Sequence, residues 1–86
     1  MKTAKKIIHH ATYDVGDEFF IDITENNGPD KTYEAWMWNE QYGVKSLMFG
    51  IRKSDYSLDE FTEIVEKNVR QHKRIYRNLY MDEELT

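Results

Sequence analysis

The sequence predicts an α+β fold: a three- to four-stranded antiparallel β-meander with one long C-terminal α-helix packed on one face. Three observations predict it. Segments rich in Ile, Phe, Tyr, Trp and Thr are separated by short turn signals across residues 18–53, and that is the composition of strands. From Leu58 onward the apolar residues recur at helical spacing instead. The chain is 86 residues long, a length suited to one domain around one core.

The turns fix the expected strand limits. Val15-Gly16-Asp17 is a turn signal, and Asn26-Asn27-Gly28-Pro29-Asp30 is a stronger one, because Asn-Gly accepts positive φ and proline ends a strand ladder. Glu40-Gln41-Tyr42-Gly43 is a third signal, and Ser54-Asp55-Tyr56-Ser57 closes the series. Strands are therefore expected near 5–13, 18–25, 31–39 and 44–53. Residues 1–13 can be read as an edge strand or as an arm, and 18–53 as the antiparallel sheet. Connections this short make neighbouring strands antiparallel.

The last third opens on Ser57-Leu58-Asp59-Glu60, a capping box in which the serine hydroxyl accepts from a backbone N–H and Glu60 reaches back. A helix is expected over 58–80, with Leu58, Phe61, Ile64, Val65, Val69, His72, Ile75, Tyr76 and Leu79 on one apolar face. Asp59, Glu60, Glu63 and Glu66 precede Lys67, Arg70, Lys73, Arg74 and Arg77, an order that complements the helix dipole. Residues 81–86 read as an acidic tail.

Strand alternation divides the sheet into two faces. One face collects Phe19, Ile21, Ile23, Tyr33, Ala35, Met37, Leu47, Phe49 and Ile51, which the helix is expected to cover. The other carries Phe20, Asp22, Thr24, Glu34, Trp36, Trp38, Ser46, Met48, Gly50 and Arg52. A half-solvated sheet normally shows polar residues on its outer face, and one helix cannot cover two sides. Aromatic and methionine side chains ringed by charge match the composition of interface hot spots. Trp36, Trp38, Phe20 and Met48 are thus expected to anchor a protein partner, with Asp22, Glu34 and Arg52 as the rim. The competing expectation is that the N-terminal segment or the tail folds across the patch, or that a slipped register turns the tryptophans inward.

Composition narrows the function further. The absence of cysteine excludes disulfide scaffolds, thiolate zinc sites and cysteine nucleophiles. Acids outnumber bases 16 to 12, for a net charge of −4. No apolar run reaches the roughly 18 residues of a membrane span, and the basic N-terminus has too short an apolar stretch for a signal peptide. A cytoplasmic protein is expected. His9 and His10 are neighbours on a strand and point to opposite faces, and His72 can meet at most one of them, so neither a metal nor a cofactor is expected. Asp14, Asp17 and Glu18 lie in a turn and Asp82, Glu83 and Glu84 in the tail, where burial would not tune them for acid–base catalysis.

The expected function is therefore non-enzymatic protein binding. Small acidic domains without a motif are among the products mobile elements use as inhibitors that block a host protein, such as a defence nuclease or a CRISPR-type effector. The expectation rests on that class of protein, with no motif in the chain behind it. Two alternatives stand beside it. One is a nucleic-acid-binding module that uses Lys67, Arg70, Lys73, Arg74 and Arg77 with the sheet aromatics. The other is a homodimeric structural subunit that closes on a second copy.

Overall fold

Strand and helix signals resolve into the expected layers, seen in a computed structural model that describes residues 7–81. The strands are β1 (Ile7–Asp14), β2 (Phe19–Asn26), β3 (Thr32–Asn39) and β4 (Lys45–Arg52), followed by helices α1 (Leu58–Lys67) and α2 (Val69–Tyr80). Spatial order is β1-β2-β3-β4 with every neighbouring pair antiparallel, so the described residues form a meander. The described part of the N-terminal segment is an edge strand. The rest of 1–13 and the tail beyond Met81 lie outside the described residues.

Both helices pack on one side of the sheet. Phe19, Ile21 and Ile23 of β2 and Ala35 and Met37 of β3 meet Phe61, Val65 and Tyr76 of the helices, and none of these side chains is more than 3% exposed. Phe61 stacks on Tyr33 at 5.8 Å and meets Phe49 edge-on at 5.8 Å, while Tyr76 meets Phe19 edge-on at 5.4 Å. Burying each large side chain stabilises the fold by about 1.5–3 kcal/mol. The Tyr76 hydroxyl donates to the Val44 carbonyl, which satisfies the polar end of an otherwise apolar residue.

The helical region departs from the single helix expected over 58–80. It breaks at Asn68, whose φ of −113° and ψ of 9° are not helical. Asn68 Nδ2 donates to the Ile64 carbonyl at 2.7 Å, and its backbone N–H bonds three residues back to Val65 instead of four. A short amide side chain that competes for backbone acceptors is a recognised helix breaker. The start is as expected: Ser57 and Glu60 form both halves of the capping box. Beyond the break, Lys73 and Arg77 lie over the Phe19 ring, while Ile75 and Leu79 are 38% and 64% exposed. In the last two turns Ile75 and Leu79 therefore turn away from the core, and Tyr76 is the stripe residue that stays in it.

A second departure lies in β4. Ala35 faces Phe49, but Trp36 faces Leu47, so Met48 is an extra residue in the strand. Such a β-bulge shifts everything beyond it to the opposite face. Met48 packs against the core, whereas Leu47, expected in the core, is 50% exposed on the tryptophan side. Another irregularity between His9 and Ala11 adjusts β1 against β2.

Candidate protein-binding face

Alternation along β2 and β3 places Phe20, Asp22 and Thr24 beside Trp38, Trp36 and Glu34 on the face away from the helices. The bulge adds Lys45 and Leu47, opposite Trp38 and Trp36. β1 contributes Thr12 opposite Asp22 and His9 opposite Thr24. Arg52 stands at the far edge, opposite Thr32, and is exposed. Of the expected anchors, the structure brings Phe20, Trp36 and Trp38 together. Met48 is the correction, since the bulge turns it to the core side. Ser46 moves with it, to a position opposite Met37.

The aromatics lean over the central strands. Phe20 and Trp38 stack with ring centres 4.7 Å apart and planes 21° apart. Trp36 Nε1 donates to Thr24 Oγ1 at 3.2 Å, which draws the indole across β2. All three rings are half-buried by this arrangement, while Asp22 beneath them is only 5% exposed. The tryptophans are thus neither core residues nor fully in water.

Asp22 is satisfied from both sides. Thr12 Oγ1 donates to its Oδ1 at 2.7 Å and Lys45 Nζ to its Oδ2 at 2.8 Å. Thr12 in turn lies 2.8 Å from His9 Nε2, which is 3.8 Å from the carboxylate. Burial pushes the Asp22 pKa up, but the bonds from Lys45 and Thr12, with the Trp38 indole N–H dipole nearby, outweigh it and hold the carboxyl below its ordinary value. That indole nitrogen is buried and reaches no acceptor with good hydrogen-bond geometry among the described residues. Beside this cluster, a depression of about 270 Å³ is lined by Ile7, Asp22, Thr24, Glu34, Trp36 and Lys45.

The basic stripe fares differently. Lys73 Nζ and an Arg77 guanidinium nitrogen approach Asp17 Oδ2 at 3.3 and 3.4 Å, and Arg70 shares that hollow with them and Glu66. Lys67 and Arg74 are exposed. Two of the five expected phosphate contacts are therefore already turned to a carboxylate of the β1–β2 turn. The histidines separate as expected: His9 joins the Asp22 cluster, His10 bonds Glu25 at 2.7 Å on the helix side, and His72 meets the Phe49 ring at 5.7 Å. Among the described residues no three His, Asp or Glu side chains are grouped to hold a metal ion.

Lys45, Leu47, Thr12 and His9 belong to this face and were not anticipated by alternation. For the first two, three apolar residues in a row at Leu47-Met48-Phe49 do not by themselves mark a bulge, since Phe19-Phe20-Ile21 runs the same way in a strand that pairs with β3 in plain register. For Thr12 and His9 no local signal exists, because register across β1 depends on pairing. No helix among the described residues is long and apolar enough to cross a membrane. Compared with protein-family models, with curated proteins and with solved structures, the chain shows no match.

Proposed function

We propose that the chain is a non-enzymatic protein-binding module and that the sheet face opposite the helices is its contact surface. The observation that carries this reading is the pairing of a Phe20–Trp38 stack, Trp36 and an exposed Leu47 on a face that neither helix covers. Each large aromatic offers about 150–250 Å² of contact area, and Trp is the residue most enriched among binding hot spots. Glu34, Lys45 and Arg52 supply the polar rim such surfaces carry, while Asp22, expected in that rim, is buried beneath the aromatic rings. Size and net acidity further suit a cytoplasmic protein that blocks a host partner such as a nuclease or CRISPR-type effector.

The nucleic-acid reading has less support, since Lys73 and Arg77 face Asp17 and Phe20 stacks on Trp38 in place of a base. A homodimer through the same face is the alternative that mass in solution separates. The test is a Trp36→Ala, Trp38→Ala double variant, compared with wild type by circular dichroism, light scattering and binding to the captured partner. A native spectrum with loss of partner binding is the expected result. Loss of the fold, or unchanged binding by a folded variant, overturns the reading, and a stable wild-type dimer that the variant dissolves replaces it with self-association.

A further inference from the structure

We infer that the depression beside Trp36 receives a basic side chain of the protein partner, an arginine in preference to a lysine, with Glu34 as its counter-ion. This rests on the reading of the open face as a protein-binding surface and adds the chemistry of its central contact.

Charge complementarity carries the argument. The depression is bordered by two carboxylates, Asp22 and Glu34, by the Trp36 indole and by Lys45, whose ammonium is paired with Asp22, so Glu34 is the lining carboxylate that Lys45 does not neutralise. The same face already holds one ammonium group in this manner: Lys45 Nζ bonds Asp22 at 2.8 Å and sits 5.8 Å from the centre of the Trp38 ring. A carboxylate next to an indole is therefore a combination this surface uses for a cation, and it occurs a second time at Glu34 and Trp36. Both oxygens of Asp22 are engaged by Thr12 and Lys45. The Glu34 carboxylate has a 3.2 Å bond from Thr32 Oγ1 to its Oε2, and a carboxylate has lone pairs for several donors.

The neighbours leave room for a guest. Glu34 faces Gly50 across the strand pair, and a Cβ at Gly50 would lie 3.4 Å from Glu34 Cγ. A Cβ there would make an ordinary van der Waals contact, so the glycine leaves the Glu34 stem uncovered on that side. The polar edge of Trp36 is turned to Thr24, so the indole offers carbon and π surface to the depression. A guanidinium can lie flat on such a ring and present its fork to a carboxylate at once, which an ammonium cannot do. The net charge of −4 favours the approach of a basic partner over an acidic one.

The test is a titration of the ¹⁵N-labelled protein with N-acetyl-arginine amide, followed at the Trp36 and Trp38 indole N–H resonances, with N-acetyl-citrulline amide as the uncharged isostere. The expected result is a saturable shift centred on Trp36 with the arginine probe, a response to citrulline at least fivefold weaker, and a similar fivefold weakening in Glu34→Gln. Glu63→Gln, an acid removed from exposed α1 surface, should leave the response unchanged. An equal response to citrulline, an unchanged response in Glu34→Gln, or no saturable shift up to about 50 mM, a range generous for a fragment of this size, overturns the inference. The citrulline comparison uses wild-type protein and does not depend on how any variant folds. A flat titration alongside loss of partner binding in the double tryptophan variant removes the arginine and leaves the binding face standing; retained binding in that variant removes both.

Discussion

Lys45 Nζ reaches across the whole of β3 to donate to Asp22 Oδ2 at 2.8 Å, with the Trp38 ring 5.8 Å away. The contact ties the β4 edge to the centre of the sheet and fixes where the aromatic surface ends and the acidic depression begins. Asp22 is buried, with 8% of its side chain exposed, whereas 56% of Lys45 is exposed.

Asp22→Asn should therefore destabilise the fold by about 1–2 kcal/mol, less than a fully buried pair because Lys45 remains hydrated. The pH dependence has a definite sign. Burial raises the Asp22 pKa, and its hydrogen bonds outweigh that and leave it depressed. Its stabilisation is then fully present above the unfolded-state value and is lost as pH falls through the folded one. Urea midpoints should fall between about pH 5 and pH 3, and Asp22→Asn should flatten part of that slope. An identical slope in the variant would contradict the role given to Asp22. Glu25, whose pKa is lowered by hydrogen bonds from Lys53 and His10, accounts for part of what remains.

The bulge makes opposite predictions for adjacent residues. Met48 packs on the core, so Met48→Ala should cost about 1–2 kcal/mol at this half-buried position and leave partner binding intact in the folded fraction. Leu47 is 50% exposed on the open face, so Leu47→Ala should change stability by no more than about 0.5 kcal/mol and weaken binding. Denaturation and binding measured on the two variants check the assignment, and reversed outcomes would place the register as plain alternation has it.

The β1–β2 turn holds three successive residues at positive φ: Gly16 at 89°, Asp17 at 57° and Glu18 at 68°. Glutamate is poorly suited to that region, which costs a non-glycine residue about 1–2 kcal/mol. Glu18→Gly should accordingly be neutral to stabilising, by up to about 1 kcal/mol after the added flexibility of the unfolded chain. Gly16→Ala should destabilise by at least about 1 kcal/mol. Thermal denaturation of the two variants reads both signs. The Lys73 ammonium, 3.4 Å from a Cβ at Gly16, is the end of a flexible chain and can move aside, so the backbone sets this cost.

At the helices, Ser57→Ala should cost about 1 kcal/mol by removing one half of the capping box. Asn68→Ala should strengthen the helical signal at 222 nm with little net change in stability. Its gain in helix propensity, about 0.6 kcal/mol, is of the same order as the hydrogen bond to Ile64 that it loses. An unchanged spectrum would assign the break to the seating of Tyr76 on Phe19 instead.

Much of the sheet was legible because its information is local. Turn residues at 15–17 and 26–30 mark strand ends within a residue or two, and the period of two along Phe19–Thr24 and Tyr33–Trp38 sorts core from open face correctly. The break at Asn68 was obscured by an apolar stripe that continues on both sides of it. Apolar periodicity reports which face is greasy, and it is nearly silent about one lost backbone bond.

The sequence by itself determined the strand segments, the capped helical third and the alternation that sets Phe20, Trp36 and Trp38 opposite the apolar face, since each follows from neighbouring residues. That β1 pairs as the edge strand and that the tryptophans keep this register was decided by the tertiary structure. Tertiary structure alone decided that Met48 and Leu47 exchange faces, that Lys73 and Arg77 turn to Asp17, and that Lys45 and Thr12 meet at Asp22. Those contacts join residues 10 to 60 positions apart. Their geometry is set by how one strand registers on the next and how a helix is rotated on the sheet, and no pattern local to either partner encodes it.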